Sequence, residues 1–328
     1  MERGLTAPPV PNVAPLDADP DADRVPIPQT GIFALGTYSH AYLEFELLPD
    51  IEPAAAVAAA ASLREPRTTI GGVNLVCGFR PELWRSVARD AAPLDVGGFN
   101  APLVGPDGYT MPATQRDIVM WLSGAEYDVV FDLSRDVVGG LAPYAKLANE
   151  MVGWPYHHDH DLTGFIDGTE NPTLVEALEV AIIPAGVAGE GGSILLLQKW
   201  AHDVSAWEGL GVNGQEQAIG RRKVDSVELD PKPPASHVAR TDQDNFGKIF
   251  RRNIPYGDLD EHGTIFVGFC ATQPPLARML ESMLGLGAPG SGAVRDELTR
   301  FTQPLTGAYY FIPAADRIAA SGVSESTK

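Results

Sequence analysis

The segment Gly164-Phe165-Ile166-Asp167-Gly168-Thr169-Glu170-Asn171-Pro172 sets the carboxylate of Asp167 among small turn-forming residues with apolar neighbours. A carboxylate held in such a place can take up and return protons. Gly164 and Gly168 permit positive φ or a close approach of backbone to a ligand, and the step into Pro172 favours extended or turn geometry. Asp-Gly also occurs in ordinary turns, so local chemistry leaves a purely structural role open. A second candidate is Lys248-Ile249-Phe250-Arg251-Arg252-Asn253-Ile254-Pro255-Tyr256-Gly257, with two arginines in apolar surroundings. In a strand, Arg251 and Asn253 share one face while Arg252 takes the other, so a guanidinium and an amide can jointly donate hydrogen bonds to a bound oxygen species. An edge strand with one solvated and one ion-paired arginine fits the same pattern.

His237 follows the prolines of Pro233-Pro234-Ala235-Ser236-His237-Val238 and enters an apolar segment. An imidazole so held can ligate a metal, as histidine ligates iron in several haem proteins, although a lone histidine is also compatible with a surface or satisfied core position. The run His157-His158-Asp159-His160 offers imidazoles and carboxylates in close succession. Alternate residues of a strand share a face, so His158 and His160 would converge while His157 points away, and no nearby cysteine completes a tetrahedral zinc set. A polar loop is the simpler reading of that run.

These residues need elements to position them. Gly31–Tyr38 and Ala41–Leu47 read as strands, the second half-exposed, with Tyr42, Glu44 and Glu46 alternating against Leu43, Phe45 and Leu47. Pro53–Arg64 suits a helix, Gly72–Phe79 a buried strand, Pro81–Asp90 a helix and Asp117–Ser123 a strand, while Ala125–Val138 fits either helix or strand, with Tyr127, Val130, Phe131 and Val137 near helical spacing favouring the helix. The second half offers strands at Ser193–Gln198, Thr264–Ala271 and Gly307–Ile312, with helices at Gln215–Ile219 and Leu276–Leu284. Strands and helices thus mix twice, an α+β pattern of sheets covered by helices, without a recognisable sequence repeat.

The totals narrow the class. With 328 residues, 44% hydrophobic, the chain can bury a large core. Its 43 acidic against 24 basic side chains give a formal charge of −19, which repels phosphate backbones and anionic lipid, so neither nucleic acid nor membrane is expected as a partner. Cys77 and Cys270 stand alone in apolar segments and read as core residues. The Pro-, Ala- and Asp-rich start lacks the pattern of a secretory signal, which points to a cytoplasmic protein with a disordered tail over residues 1–26. Two halves, 27–160 and 161–318, and a flexible tail, 319–328, complete the expected organisation.

Together the motifs resemble the dye-decolourising peroxidase family of haem enzymes, its B-type bacterial members above all. The family order of Gly-x-x-Asp-Gly, then Ser-His-Val, then an arginine with Asn or Ser two residues on, is matched by Gly164–Gly168, Ser236–Val238, and Arg251 with Asn253. Asp161–Pro172, Gln198-Lys199-Trp200, His202-Asp203, Trp207-Glu208, Ile219-Gly220-Arg221 and Leu305-Thr306-Gly307 extend the likeness over roughly residues 30 to 315.

The resemblance implies two ferredoxin-like halves with haem b (iron protoporphyrin IX) in the C-terminal one. It implies His237 as the proximal iron ligand and Asp167, Arg251 and Asn253 as the distal set. Arg221 would pair with a haem propionate, while Gly168, Thr169, Glu170, Thr264 and Phe266 would contact the cofactor. Hydrogen peroxide and an organic electron donor, dye or phenol, would be the substrates, and relatives commonly form homo-oligomers. No electron route is assigned to Trp154, Trp200 or Tyr256. The polar Ser321–Lys328 end is unlike the apolar Gly-Ser-Leu tail of relatives packaged in encapsulin shells, so packaging is not expected.

One position departs from the family pattern. Arg300 aligns where relatives carry an aspartate before the Phe of Phe-x-x-x-x-Thr-Gly, leaving Asp296 and Glu297, one turn earlier, as substitutes for the proximal carboxylate. That departure keeps a second reading in view, a haem-handling protein without substantial peroxidase turnover. A zinc hydrolase built on His157–His160 ranks last.

Overall fold

The computed structural model describes residues 26–63, 72–287 and 293–321. Eight strands carry the architecture: β1 (Ser39–Leu47), β2 (Asn74–Phe79), β3 (Ile118–Gly124), β4 (Ala145–Gly153), β5 (Ser193–His202), β6 (Ile254–Gly257), β7 (His262–Cys270) and β8 (Ala308–Ile312). Helices α1 (Pro53–Ser62) and α2 (Tyr127–Leu141) belong to the first four strands. Helices α3 (Gly211–Ile219), α4 (His237–Arg240) and α5 (Pro274–Met283) belong to the second four. The first set runs strand, helix, strand, strand, helix, strand, the second does the same with α3 and α4 together in the first helical connection, and each has the antiparallel spatial order fourth, first, third, second, which is ferredoxin-like.

The two sheets are edge to edge. Only Phe311↔Phe79 joins β8 to β2, and only Gly153↔Tyr256 joins β4 to β6, so the eight strands close into a ring through two narrow seams. Its interior is aromatic. Trp121 stacks on Tyr42 at 5.5 Å and on Phe269 at 6.0 Å between centroids, contacts worth about 0.5–1.5 kcal/mol each beyond the area they bury. The outer faces lie under helices. On α2 the buried positions Val130, Ser134, Val137 and Leu141 recur at helical spacing, and on α5 Leu276, Met279, Leu280 and Met283 do the same.

Two expectations need correction. Gly31–Tyr38 is not a strand: Thr30–Phe33 is a single 3-10 turn, Gly36 takes φ +73°, and strand pairing starts at Ser39. The carbonyls of Ile32 and Ala34 accept from the Arg252 guanidinium, so no neighbouring strand uses them. Nor is β1 half-exposed, because Tyr42 is 0% and Glu44 2% exposed. Its polar-looking face points into the ring, where Glu44 accepts from the Tyr310 hydroxyl and the Asn149 amide, both at 2.6 Å. The helix expected over Ala125–Val138 is present, shifted to end at Leu141. The tails expected at 1–26 and 319–328 lie outside the described residues, apart from Pro26 and the close of the helix Ala315–Ser321, whose backbone carries helical structure past 319. Among the described residues no helix is long and apolar enough to cross a membrane.

Burial holds the Glu44 carboxyl above its ordinary range, against the lowering effect of Asn149, Tyr310 and Arg116. The folded chain therefore keeps a proton that the unfolded chain releases, and stability falls as pH rises from the ordinary carboxyl range through the raised folded value. Glu44→Gln removes this dependence. Urea midpoints of variant and wild type should shift in the variant's favour as pH rises above the ordinary carboxyl range; an offset that stays constant as pH rises contradicts the assignment.

Candidate active site

A cavity of ≈ 250 Å³ opens on the outer face of the second sheet. A single water needs roughly 10–15 Å³ on that measure, so the space suits a much larger guest. Strand periodicity builds one wall: Gln198, Trp200 and His202 alternate on β5, and Thr264 and Phe266 alternate on the paired strand β7. The apolar stripe of α5 supplies the opposite side through Leu276, Met279, Leu280 and Met283. His202 faces the cavity as a neutral imidazole, since burial, with His262 adding, pulls its pKa down to about 4.

His237 opens the short helix α4 and lines the same cavity. Ser236, fully buried, caps that helix and donates its hydroxyl to the Pro233 carbonyl at 2.7 Å. Gly220, at φ +94°, lets Ser236 lie where a Cβ would meet its Oγ at 2.6 Å. The His237 Nδ1 stands 2.6 Å from Oδ2 of Asp296, which is 0% exposed. Asp296 is itself held: its Oδ1 accepts from Leu298 N–H and its N–H donates to the Met283 carbonyl, both at 2.9 Å. With Nδ1 donating to the carboxylate, Nε2 is the nitrogen left to act as a ligand. Burial opposes charging this imidazole, yet the charge and hydrogen bond of Asp296 outweigh it and raise the pKa.

Arg300 does not occupy the proximal carboxylate's place. It sits in an exposed 3-10 turn, pairs with Glu297 at 2.9 Å and points outward, while Asp296, at the cap of that turn, points inward. Of the two substitutes, Asp296 makes the contact and Glu297 does not.

The Asp167 loop is a pair of tight turns with Gly164 at φ +80° and Gly168 at φ +78°. Trp207 Nε1 donates to the Thr163 carbonyl at 2.9 Å and anchors its start. Asn171 anchors its end by a double bond to one residue: Oδ1 accepts from Arg251 N–H at 2.9 Å and Nδ2 donates to the Arg251 carbonyl at 2.8 Å. Asp167, Arg251 and Asn253 all reach the cavity, while Arg252 turns away to lie over the Trp121 ring. Among the described residues neither arginine meets a carboxylate, so the reading of an edge strand with one solvated and one ion-paired arginine is set aside. The Arg251 Nε is buried with no partner. Asn253 Oδ1 accepts from Val267 N–H at 3.0 Å, which leaves its amide nitrogen for the cavity.

Arg221 is nearly buried and bonds Glu228 at 2.8 Å, Glu170, and the Ser226 carbonyl. Gly168, Thr169 and Glu170 stand at the cavity's edge, and Thr264 Oγ1 is buried there without a partner. Trp200 also lines the cavity, whereas Trp154 is 37% exposed against Tyr156 and Tyr256 lies inside the ring. His157 and His158 occupy an exposed turn at positive φ, not a strand, and among the described residues no group of three ligating side chains is placed to hold a metal.

The apolar walls, the aimed imidazole nitrogen, and the orphaned polar atoms of Arg251, Thr264 and Gln198 fit a flat, largely apolar cofactor carrying a metal and a polar guest. Residues 158–317 match the family described as Dyp-type peroxidase, C-terminal. A dye-decolourising peroxidase of Brevibacterium linens is 33% identical over 253 residues, spanning 74% of this chain and 68% of the relative. The chain belongs to the dye-decolourising peroxidase family. It is a haem peroxidase of that type.

Solved dye-decolourising peroxidases share the fold. A Rhodococcus jostii DypB variant in complex with heme matches at TM-score 0.77 and 30% identity, covering 87% of this chain and 95% of that one. An encapsulated DyP-type peroxidase of Mycobacterium smegmatis matches at TM-score 0.80 and 29% identity, over 90% and 98% of the two chains. The expectation against encapsulin packaging draws no support from that neighbour, and the residues on which it rested, 322–328 above all, lie outside those described.

Two residues that build the site escaped the sequence reading, Asp161 lining the cavity and Asn171 clamping the strand beside it. Asp161 accepts from the Thr163 N–H and hydroxyl, and burial first, then the Asp167 charge, push its pKa up to about 6. Nothing local to Asp161 signalled that it faces the cavity. Asn171 read only as the partner of Pro172, since its clamp spans 80 positions. Asn171→Ala should cost about 1–3 kcal/mol in unfolding free energy and speed amide exchange at Arg251; exchange at the wild-type rate contradicts the clamp.

Proposed function

We propose that the protein reduces hydrogen peroxide in this cavity while organic donors, dyes and phenols among them, supply the electrons. His237 Nε2 would hold the iron of haem b, and Asp167, Arg251 and Asn253 would face the peroxide. One observation carries this: a carboxylate and a guanidinium, neither ion-paired among the described residues, line the same cavity as an imidazole whose other nitrogen is tied to a buried carboxylate. When bound, the haem supplies the redox chemistry, passing two electrons to peroxide and recovering them singly from donors.

The chain's own residues do the rest. Asp167 takes the proton from one peroxide oxygen and returns it to the other, which leaves as water; a placed acid of this kind contributes about 10²–10⁴ in rate. Arg251 keeps its charge and stabilises the negative charge that builds on the departing oxygen, an effect of about 10²–10³ for one well-placed donor. Asn253 Nδ2 orients the peroxide. The Asp167 charge lies close enough to Asp161 to add to the effect of burial in raising the Asp161 carboxyl. Three of the Arg221 hydrogen-bond donors are occupied, and a donor left free on the guanidinium would serve a propionate, with Glu170 fixing its orientation. Gly168, Thr169, Thr264 and Phe266 would border the porphyrin. The haem-handling alternative loses the observation that motivated it, because Asp296 stands where a proximal carboxylate is needed.

Asp167→Ala should lower peroxide-driven turnover by about 10²–10⁴ at unchanged haem content. Arg251→Leu should lower it by about 10²–10³. Stopped-flow mixing with peroxide checks both, and wild-type speed in Asp167→Ala beside a dead Arg251→Leu would remove Asp167 as the base. His237→Ala should lose most haem on purification, read from the Soret absorbance per protein. Full retention with an unaltered spectrum contradicts the ligand assignment.

A further inference from the structure

Peroxide reduction has a proton requirement that Asp167 leaves unmet. Hydrogen peroxide takes two electrons and two protons to become two waters. Asp167 moves a proton that the peroxide itself brings, and the first water leaves with both of the peroxide's hydrogens. The oxygen left behind needs two more protons, and a donor that gives only electrons does not bring them. A group holding a proton beside Asp167 meets that need.

Asp161 is placed for it. The chain turns back on itself between the two carboxylates: Asp167 N–H donates to the Asp159 carbonyl at 2.7 Å, Asp161 N–H donates to the Phe165 carbonyl at 3.1 Å, and His160 pairs with Ile166 between them. In an antiparallel pair of this register Asp161 and Asp167 share one face as diagonal neighbours, with backbones about 7–8 Å apart, close enough for a bridging water. Both line the cavity. The Asp161 oxygen Oδ1 accepts from Thr163 N–H at 2.8 Å and from the Thr163 hydroxyl, while Oδ2 makes no hydrogen bond or ion pair among the described residues. Thr163, 4% exposed, is fixed in turn through its carbonyl, which accepts from Trp207 Nε1 at 2.9 Å and Lys223 Nζ at 3.2 Å. A proton on Asp161 therefore sits on Oδ2, the oxygen left to face the open space.

The surroundings keep the proton there. Burial first, and then the Asp167 charge, push the pKa up to about 6, against the Thr163 bonds and the His237 imidazole. His202 on β5, neutral, and Arg251 also line the space.

We infer that Asp161 is the second acid of the reaction: from Oδ2 it supplies protons, one at a time, to the oxygen left after the first water departs, and takes each replacement from solvent. The inference rests on the peroxidase reading and adds a proton-supplying residue to it. The carboxyl becomes a carboxylate as each proton leaves, so two rounds supply the two protons while the donors supply the two electrons.

Ferrocyanide gives an electron and no proton, so it isolates this step. With haem-loaded protein, stopped-flow mixing separates the peroxide half of the cycle from the ferrocyanide half. The wild-type ferrocyanide half should slow as pH rises through about 6, because the acid form is the one that gives the proton. Asp161→Asn keeps an oxygen for the Thr163 bonds and should slow that half by about 10² at low pH, at least about tenfold more than the peroxide half, and flatten the pH step. Thr163→Val removes a bond that favours the ionised carboxyl and should move the step to higher pH. Infrared difference spectra of the haem-loaded protein across the same range should show a protonated-carboxyl band that Asp161→Asn removes. The inference is overturned by an Asp161→Asn protein that keeps the wild-type rate and pH step, by equal losses in the two halves, by a step that Thr163→Val leaves in place, or by the absence of the band. A wild type that does not react with peroxide sinks the peroxidase reading instead, and the band alone then decides whether Asp161 holds its proton.

Discussion

An imidazole with one nitrogen bound to a buried carboxylate has a single nitrogen left to offer, and its direction is fixed. In this protein that carboxylate is Asp296, wholly buried and 2.6 Å from His237. Its position comes from three neighbours: the carbonyl end of α5 through Met283, the turn that it caps, and the Ala235 carbonyl, which accepts from Glu297 N–H at 2.8 Å. The helix that walls the cavity, the histidine segment and the turn before the final strands are thus tied at one point. A partner of this kind also strengthens the ring as a ligand, and losing such contacts typically costs about 10–100-fold in metal affinity.

The fold supplies two surfaces that such a centre needs. Closing two four-stranded sheets into a ring leaves an interior packed with Tyr42, Trp121, Phe269 and Tyr310, which stiffens the strands from behind. The outer face of the first sheet is covered by α1 and α2, whose buried residues pack directly on it. In the second half the helices stand off, and the gap between β5, β7 and α5 is the cavity. Two halves of one topology therefore do different work because of what sits over each sheet. Opposite the histidine, Asn171 binds both backbone groups of Arg251, so the loop bearing Asp167 and the strand bearing Arg251 keep a fixed spacing.

Much of this was legible from local chemistry. The positive φ at Gly164 and Gly168, the helical spacing on α2, and the split of Arg251 and Asn253 from Arg252 all follow from residue type and periodicity. The misreadings have physical causes too. Glu44 alternates like a solvent-facing residue, but the ring interior satisfies it through side chains from β4 and β8, a partnership 105 and 266 positions away. Asp296, offered in place of the aligned Arg300, makes the proximal contact as the buried cap of the 3-10 turn, while Arg300 at the end of that turn pairs with Glu297 on the outside. The roles of Asn171 and Asp161 depend on tertiary neighbours and left no local trace.

Resonance Raman spectroscopy of the reduced, haem-loaded protein probes the central contact most directly, since the iron–histidine stretch reports how strongly the second nitrogen is held. The wild type should show that band, and Asp296→Asn should move it to lower frequency, because a neutral amide accepts a weaker hydrogen bond than a carboxylate. A band absent from the wild type, or one that Asp296→Asn leaves in place, would contradict the account.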